Sequence, residues 1–183
     1  MELKISNVRG AFLALFEPKK FAGSEGDAAF SGSFIILKTD PQIKTINAAI
    51  DAVAKEKWAD KAPAYLKVLR ASDKTFLHDG DLKEAYEGFP GNFFIAARNK
   101  SRPLVIDRDK TPLAEKDRKP YSGSFLNVIL DIWPQDNQFG RRINATLKGV
   151  QFVKDGDAFS GSAPASPDSF DDLSEGAETD GLA

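Results

Sequence analysis

Residues Tyr121 to Trp133 read YSGSFLNVILDIW, and after a short turn residues Arg142 to Val153 read RINATLKGVQFV. In the first stretch the even positions Leu126, Val128, Leu130 and Ile132 are all aliphatic. Side chains alternate across a strand with period two, so this set faces a core and the odd positions face outward. The outward set is Tyr121, Gly123, Phe125, Asn127, Ile129, Asp131 and Trp133, which mixes rings with polar groups. In the second stretch Ile143, Ala145 and Leu147 continue the core, leaving Arg142, Asn144, Thr146 and Lys148 outward. Gly123 and Gly149 read as bulges that bend the sheet, and a bulge flips the face of everything downstream.

Working outward from this pair, strand signals recur in NFFIAARNK (Asn92 to Lys100) and LVI (Leu104 to Ile106). With Phe93, Ile95 and Ala97 in the core, Phe94, Arg98 and Lys100 face outward and Arg102 lies just beyond. Near the start, Leu3 and Ile5 alternate with Lys4 and Ser6, and a long or bent strand runs on to Glu17 and Pro18. A Gly/Ser loop, FAGSEGDA, leads to a second strand from Ala29 to Lys38, and the two form a hairpin. Asp40 caps a helix with Pro41 in its first turn, and Ile43, Ile46, Ile50 and Val53 recur at helical spacing as far as Lys57. Between Ala59 and Pro90 the pattern predicts a short strand around Lys67 to Arg70 and then an irregular charged loop. Roughly six strands and one inserted helix, without βαβ alternation, predict a mainly β fold: an OB-like antiparallel barrel over residues 1–154.

The chain has 183 residues and a net charge of -2, which averages two unlike regions. From Asp155 to Ala183 there are 8 acids and no Lys or Arg, so the first 154 residues hold 25 basic against 27 - 8 = 19 acidic groups, a net of +6. Residues 155–183 are rich in Ser, Ala, Gly, Pro and Asp, a composition that predicts a disordered acidic tail. There is no cysteine and one histidine, so disulfides, thiolate zinc sites and paired-imidazole sites are excluded, and no cofactor or metal is expected. No segment reaches the ~20 apolar residues of a membrane span, and the N-terminus lacks a signal-peptide layout. The expectation is a soluble intracellular protein.

Aromatic rings beside cations on three strand faces suit single-stranded nucleic acid, where cations follow the phosphates and unpaired bases stack on the rings. The candidate stacking residues are Phe94, Tyr121, Phe125 and Trp133; the candidate phosphate contacts are Arg98, Lys100, Arg102, Arg142 and Lys148. The same face could serve a structural or adaptor protein, since protein interfaces also favour aromatic residues and arginine. His78, Asp79 and Asp81 in LHDGD read as a charged turn rather than a cation site, and Asp107 and Asp109 as partners of neighbouring bases rather than a nuclease pair. No phosphate-loop motif is present, and no enzymatic activity is expected.

The strings VRGAFLALFEPKKF, AFSGSFIILKTDPQ, ARNKSRPLVIDRD and YSGSFLNVILDIWPQDNQFGRRINATLKGVQFVKDG, followed by the acidic end, occur in an order that resembles a phage family of single-stranded-DNA-binding proteins. The resemblance covers most of the chain. It implies an OB fold, a role in phage DNA replication or recombination in the cytoplasm of the infected bacterial host, and an acidic C-terminus that meets phage or host replication and recombination proteins. Tails of such proteins often end in an aromatic tip that docks on partners, whereas this chain ends Asp180, Gly181, Leu182, Ala183. The nearest equivalent is internal: Phe170, Asp171, Asp172 and Leu173.

Overall fold

The computed structural model describes residues 1–20, 25–159, 171 and 173 of the chain. Its strands are β1 (Glu2–Lys19), β2 (Ala29–Leu37), β3 (Leu77–Asp79), β4 (Asn92–Asn99), β5 (Leu104–Ile106), β6 (Phe125–Asn137) and β7 (Gly140–Lys154). Two helices, α1 (Gln42–Trp58) and α2 (Ala62–Ala71), lie between β2 and β3. Strand β1 pairs antiparallel with β2 and β6, β2 with β4, and β6 with β7. A single parallel pair, Arg98 with Thr146, joins β4 to β7 and closes a five-stranded barrel in the order β1-β2-β4-β7-β6. This is the OB arrangement the strand pattern predicts, although its closing pair is parallel rather than antiparallel. Strand β3 extends the edge of β4, and β5 lies parallel on the far end of β7.

The even positions of β6 from Leu126 to Ile132 are buried, as alternation requires, and Ile143, Ala145 and Leu147 of β7 join them in one core with Ile5, Val8, Phe34 and Ile95. At Lys148 the register slips: Leu130 pairs with Leu147 but Ile129 with Gly149, so Lys148 is the extra residue of a bulge. The core positions accordingly change from odd to even, and Val150 and Phe152 are buried beyond it. Gly123 is not a strand bulge; it sits at φ +111 in the turn before β6, against Asp157.

The Asp40 carboxylate accepts from the Gln42 N–H at 2.8 Å, with Pro41 just ahead of α1. The predicted strand at Lys67 to Arg70 is the second half of α2. Ala62, Leu66 and Leu69 are its buried residues, a spacing of four then three that belongs to a helix, and four residues of KVLR alone could not distinguish the two.

The helices also brace the β6–β7 hairpin. The Trp58 indole N–H donates to Asp136 at 2.8 Å, Arg141 Nε lies 3.4 Å from the same carboxylate, and the Arg141 guanidinium stacks 4.1 Å above the Tyr65 ring. The Trp58 hydrogen bond, then Arg141, holds the Asp136 carboxyl below its ordinary 3.8. A carboxyl whose folded-state pKa is depressed contributes stability above its unfolded value and loses it as pH falls through the folded one. Trp58→Phe should therefore lose the part of the acid sensitivity that sits below about pH 4, read as a smaller fall in urea midpoint between neutral and acid pH. Equal acid sensitivity of the two proteins would remove Asp136 from this role.

Beyond β7, residues Asp155 to Phe159 form a strap over the barrel. The Tyr121 hydroxyl donates to Asp155 at 2.8 Å and accepts from the Gly156 N–H at 3.1 Å. The Phe159 N–H donates to the Ser122 carbonyl at 3.2 Å. Arg9 donates through Nε to the Gly123 carbonyl at 3.1 Å and through Nη2 to the Asp157 carbonyl, while its guanidinium lies 4.3 Å from the Phe159 ring centroid. Phe159 is only 7% exposed and packs with Ala11, Ile35, Phe89 and Phe94 in a second small core. The packed part of the chain thus reaches Phe159, past the boundary near Asp155 that composition suggests. The rest of the predicted tail lies outside the described residues, apart from Asp171 and Leu173, which are both exposed.

Candidate nucleic-acid interface

A groove of about 710 Å³ crosses the barrel where β4 meets β7. Small residues line much of it: Ser31, Gly32 and Ser33 of β2, Ala96 and Ala97 of β4, and Asn144, Ala145 and Thr146 of β7. Gly32 is paired with Ala97 in the β2–β4 register, and small side chains on both strands keep the groove open. Trp133 stands at one side, 41% exposed, with its indole N–H donating to Thr146 Oγ1 at 3.0 Å. Beside it Gln135 Oε1 accepts from the Asn144 amide at 2.8 Å, fixing two more polar side chains in the same groove. Arg98, Lys100 and Arg142 supply the cations. Lys100 makes a 3.1 Å ion pair with Asp27, at a site where both side chains are largely exposed. Among the described residues no ion pair is formed by Arg98 or Arg142, and both side chains are exposed.

Four of the nine residues named from the sequence therefore meet in one groove: Arg98, Lys100, Trp133 and Arg142. Phe94 does face outward from β4 but is 5% exposed, because β3 and the residues after it cover it. His78 stacks on one side, with ring centroids 4.9 Å apart, and Phe89 packs edge-on at 5.0 Å. It cannot receive a base without those rings moving. Tyr121 holds the strap through its hydroxyl and packs on the main core, where burial, then Asp155, raises its pKa. Phe125 lies under Lys154, 4.7 Å from its ring centroid, at the opposite end of β6 from Trp133. Arg102 stacks on Phe16 at 5.5 Å, and Lys148 is exposed on its bulge; neither lines the groove.

The acidic residues set aside at the sequence level have structural partners. Asp79 and Asp81 grip Lys38 at 2.9 and 3.1 Å, and Asp81 also accepts from the Gly91 N–H at 2.7 Å, which contributes most to lowering its pKa. Asp107 pairs with Lys119 at 2.8 Å, and Asp109 accepts from the Thr111 N–H at 3.0 Å.

A family model described as Enterobacter phage Enc34, ssDNA-binding protein, matches residues 1–182. The chain belongs to this family. Protein p50 of Acyrthosiphon pisum secondary endosymbiont phage 1 is 43% identical over 186 residues, covering all of both chains. The Enc34 single-stranded DNA-binding protein itself is similar in structure, with TM-score 0.70 and 26% identity over 93% of this chain and 90% of that one. The same Enc34 protein in complex with ssDNA superposes with TM-score 0.71 at 24% identity, over 86% and 88% of the two chains. Bacteriophage T7 gp2.5, a single-stranded DNA-binding protein, shares the fold at TM-score 0.58 and 13% identity, over 92% and 91%.

In this Enc34-family barrel the ring that strand alternation failed to reveal is Phe12. It lies in the β1 bulge between Ala11 and Ala14, at φ +49 and 49% exposed, and it lines the groove. A bulky residue in the left-handed region is an outlier that costs about 1 to 3 kcal/mol, a strain that clusters at functional sites. In the sequence it is hidden within the apolar run GAFLALF, where nothing marks the bulge. Asn144 and Thr146 were legible as outward positions but carried no charge to single them out, and Gln135 lies in the part of β6 beyond the Trp133 end that the sequence pattern predicts.

Proposed function

We propose that this chain binds single-stranded DNA without strong sequence preference in the groove between β4 and β7, protecting it during phage DNA replication or recombination in the cytoplasm of the infected bacterial host. The observation that carries the reading is that an exposed, hydrogen-bonded Trp133 shares one groove with Arg98 and Arg142. Stacking needs base faces that a duplex hides, and every base has one. The residues nominated for contact are Trp133 and Phe12 for bases, and Arg98, Lys100 and Arg142 for phosphates. The acidic residues 155–183 add a second element: tethered to a body of opposite charge, they compete weakly with DNA and become available to replication or recombination proteins when DNA displaces them. Phe170, Asp171, Asp172 and Leu173 are the segment nominated for that contact; Phe170 and Asp172 lie outside the described residues.

The test is a titration of the full chain with dT-rich single strands and with duplexes at two salt concentrations. Single strands should bind more tightly, with log affinity falling against log salt by about 0.7 per phosphate contact. Equal affinity for duplex and single strand at both salts would refute stacking. A protein-binding role would leave both oligonucleotides unbound.

A further inference from the structure

A second cleft, of about 290 Å³, is lined by Ala11, Phe12, Tyr86, Phe89, Ser122 and Phe159, with Ala85 and Glu87 at its edge. Phe12 belongs to both cavities, so the second cleft continues the groove rather than standing apart from it. Its rings pack on one another and leave two of them half exposed. Tyr86 and Phe12, each 49% exposed, meet edge to face with centroids 5.0 Å apart, and the buried Phe89 lies 5.8 Å from Phe12 and 6.3 Å from Tyr86. Lys83 stands over this group, its ammonium 6.0 Å from the Phe12 ring and 5.7 Å from the Tyr86 ring.

We infer that this cleft is a second base-stacking subsite, which takes a further nucleotide of the same single strand after it passes Phe12. The inference rests on the proposed groove. Three features select a nucleotide over other occupants. The cleft is continuous with the groove through a strained, outward-turned ring, which gives the strand a path. Two of its rings, Phe12 and Tyr86, are half exposed, and exposed rings are what unpaired bases stack on. Lys83 places a cation over the exposed rings. The phosphate then runs on the Lys83 side and the uncharged base enters the cleft. Two stacking points joined by Phe12 make the footprint longer than one groove requires.

Tyr86 lines only the second cleft, so Tyr86→Ala isolates it, and as an exposed residue its loss leaves the core packing intact. The measurement is affinity for dT oligonucleotides graded over about 4 to 16 nucleotides, for the full chain, Tyr86→Ala, Tyr86→Phe and Trp133→Ala. Tyr86→Ala should match the parent on the shortest oligonucleotides that bind and lose about tenfold on the longer ones, while Tyr86→Phe keeps the long-strand affinity. Tyr86→Ala equal to the parent at every length, with Trp133→Ala still impaired, overturns the second subsite and leaves the groove standing. Failure of the parent chain to bind any length overturns both.

Discussion

Replacing Phe159 with alanine should lower the stability of the barrel by about 3 kcal/mol, the low end of the range for removing a buried phenylalanine. The ring fills the small core beside Ile35, Phe89 and Phe94, takes the Arg9 guanidinium on one face, and sits against Gly88, where a Cβ would come within 2.7 Å of it. Its removal leaves a cavity and frees the strap from Asp155 onward, so the loss exceeds what one edge residue would suggest. The urea midpoint should fall with the slope of the transition unchanged. A midpoint equal to that of the parent would mean the strap is dispensable. The same packing decides how the acidic tail is to be tested. Ending the chain after Lys154 removes Phe159 with the tail and confounds stability with charge, whereas ending it after Phe159 removes only the acidic segment beyond the barrel. The chain ending at Phe159 should bind single strands more tightly than the full chain at about 50 mM salt and gain little at about 300 mM, where charges are screened over a shorter distance.

Trp133→Ala should weaken binding of single-stranded DNA by about 1 to 3 kcal/mol, roughly five- to 150-fold, as the loss of one stacking platform. The ring is already oriented by its hydrogen bond to Thr146, so little ordering is left for DNA to impose. Arg98→Ala and Arg142→Ala should each reduce the slope of log affinity against log salt by about 0.7 while leaving any base preference unchanged. Of the two tryptophans, Trp58 is buried under the β6–β7 hairpin, so a change in indole fluorescence on adding DNA reports on Trp133. Unchanged fluorescence at saturation together with normal binding by Trp133→Ala would remove this ring from the interface.

The barrel and half of the groove could be read from the sequence because both depend on local alternation. Leu126 to Ile132 fixed which side of β6 is buried, and the same count along β7 put Arg142, Asn144 and Thr146 outward. What failed were features set by contacts between distant segments. Phe94 obeys its strand's alternation, yet His78 of β3 and Phe89 beyond it bury it, and no periodicity within β4 encodes that cover. Tyr121 lies in the turn before β6 rather than on the strand, and its hydroxyl is claimed by a strap more than thirty residues further along, while Phe125 at the start of β6 is covered by Lys154 and Gly156. Phe12 is exposed by a bulge with no glycine to announce it. Composition alone placed Phe159 in the tail, because a single buried ring among Ser, Gly and Asp hardly alters a regional average.

The helices inserted between β2 and β3 never line the groove, yet Trp58 and Tyr65 hold the Asp136 and Arg141 end of the hairpin whose stem carries Trp133, Gln135 and Arg142. That hairpin is in effect a cantilever, clamped at the barrel and propped near its tip. The prop sets its compliance: a stiff arm keeps the groove at one width, and a loosened one admits strands of varied path at the cost of order. Substitutions on α1 and α2, far from any nucleotide, are thus a means of retuning how tightly the protein grips a strand while every contacting residue stays the same.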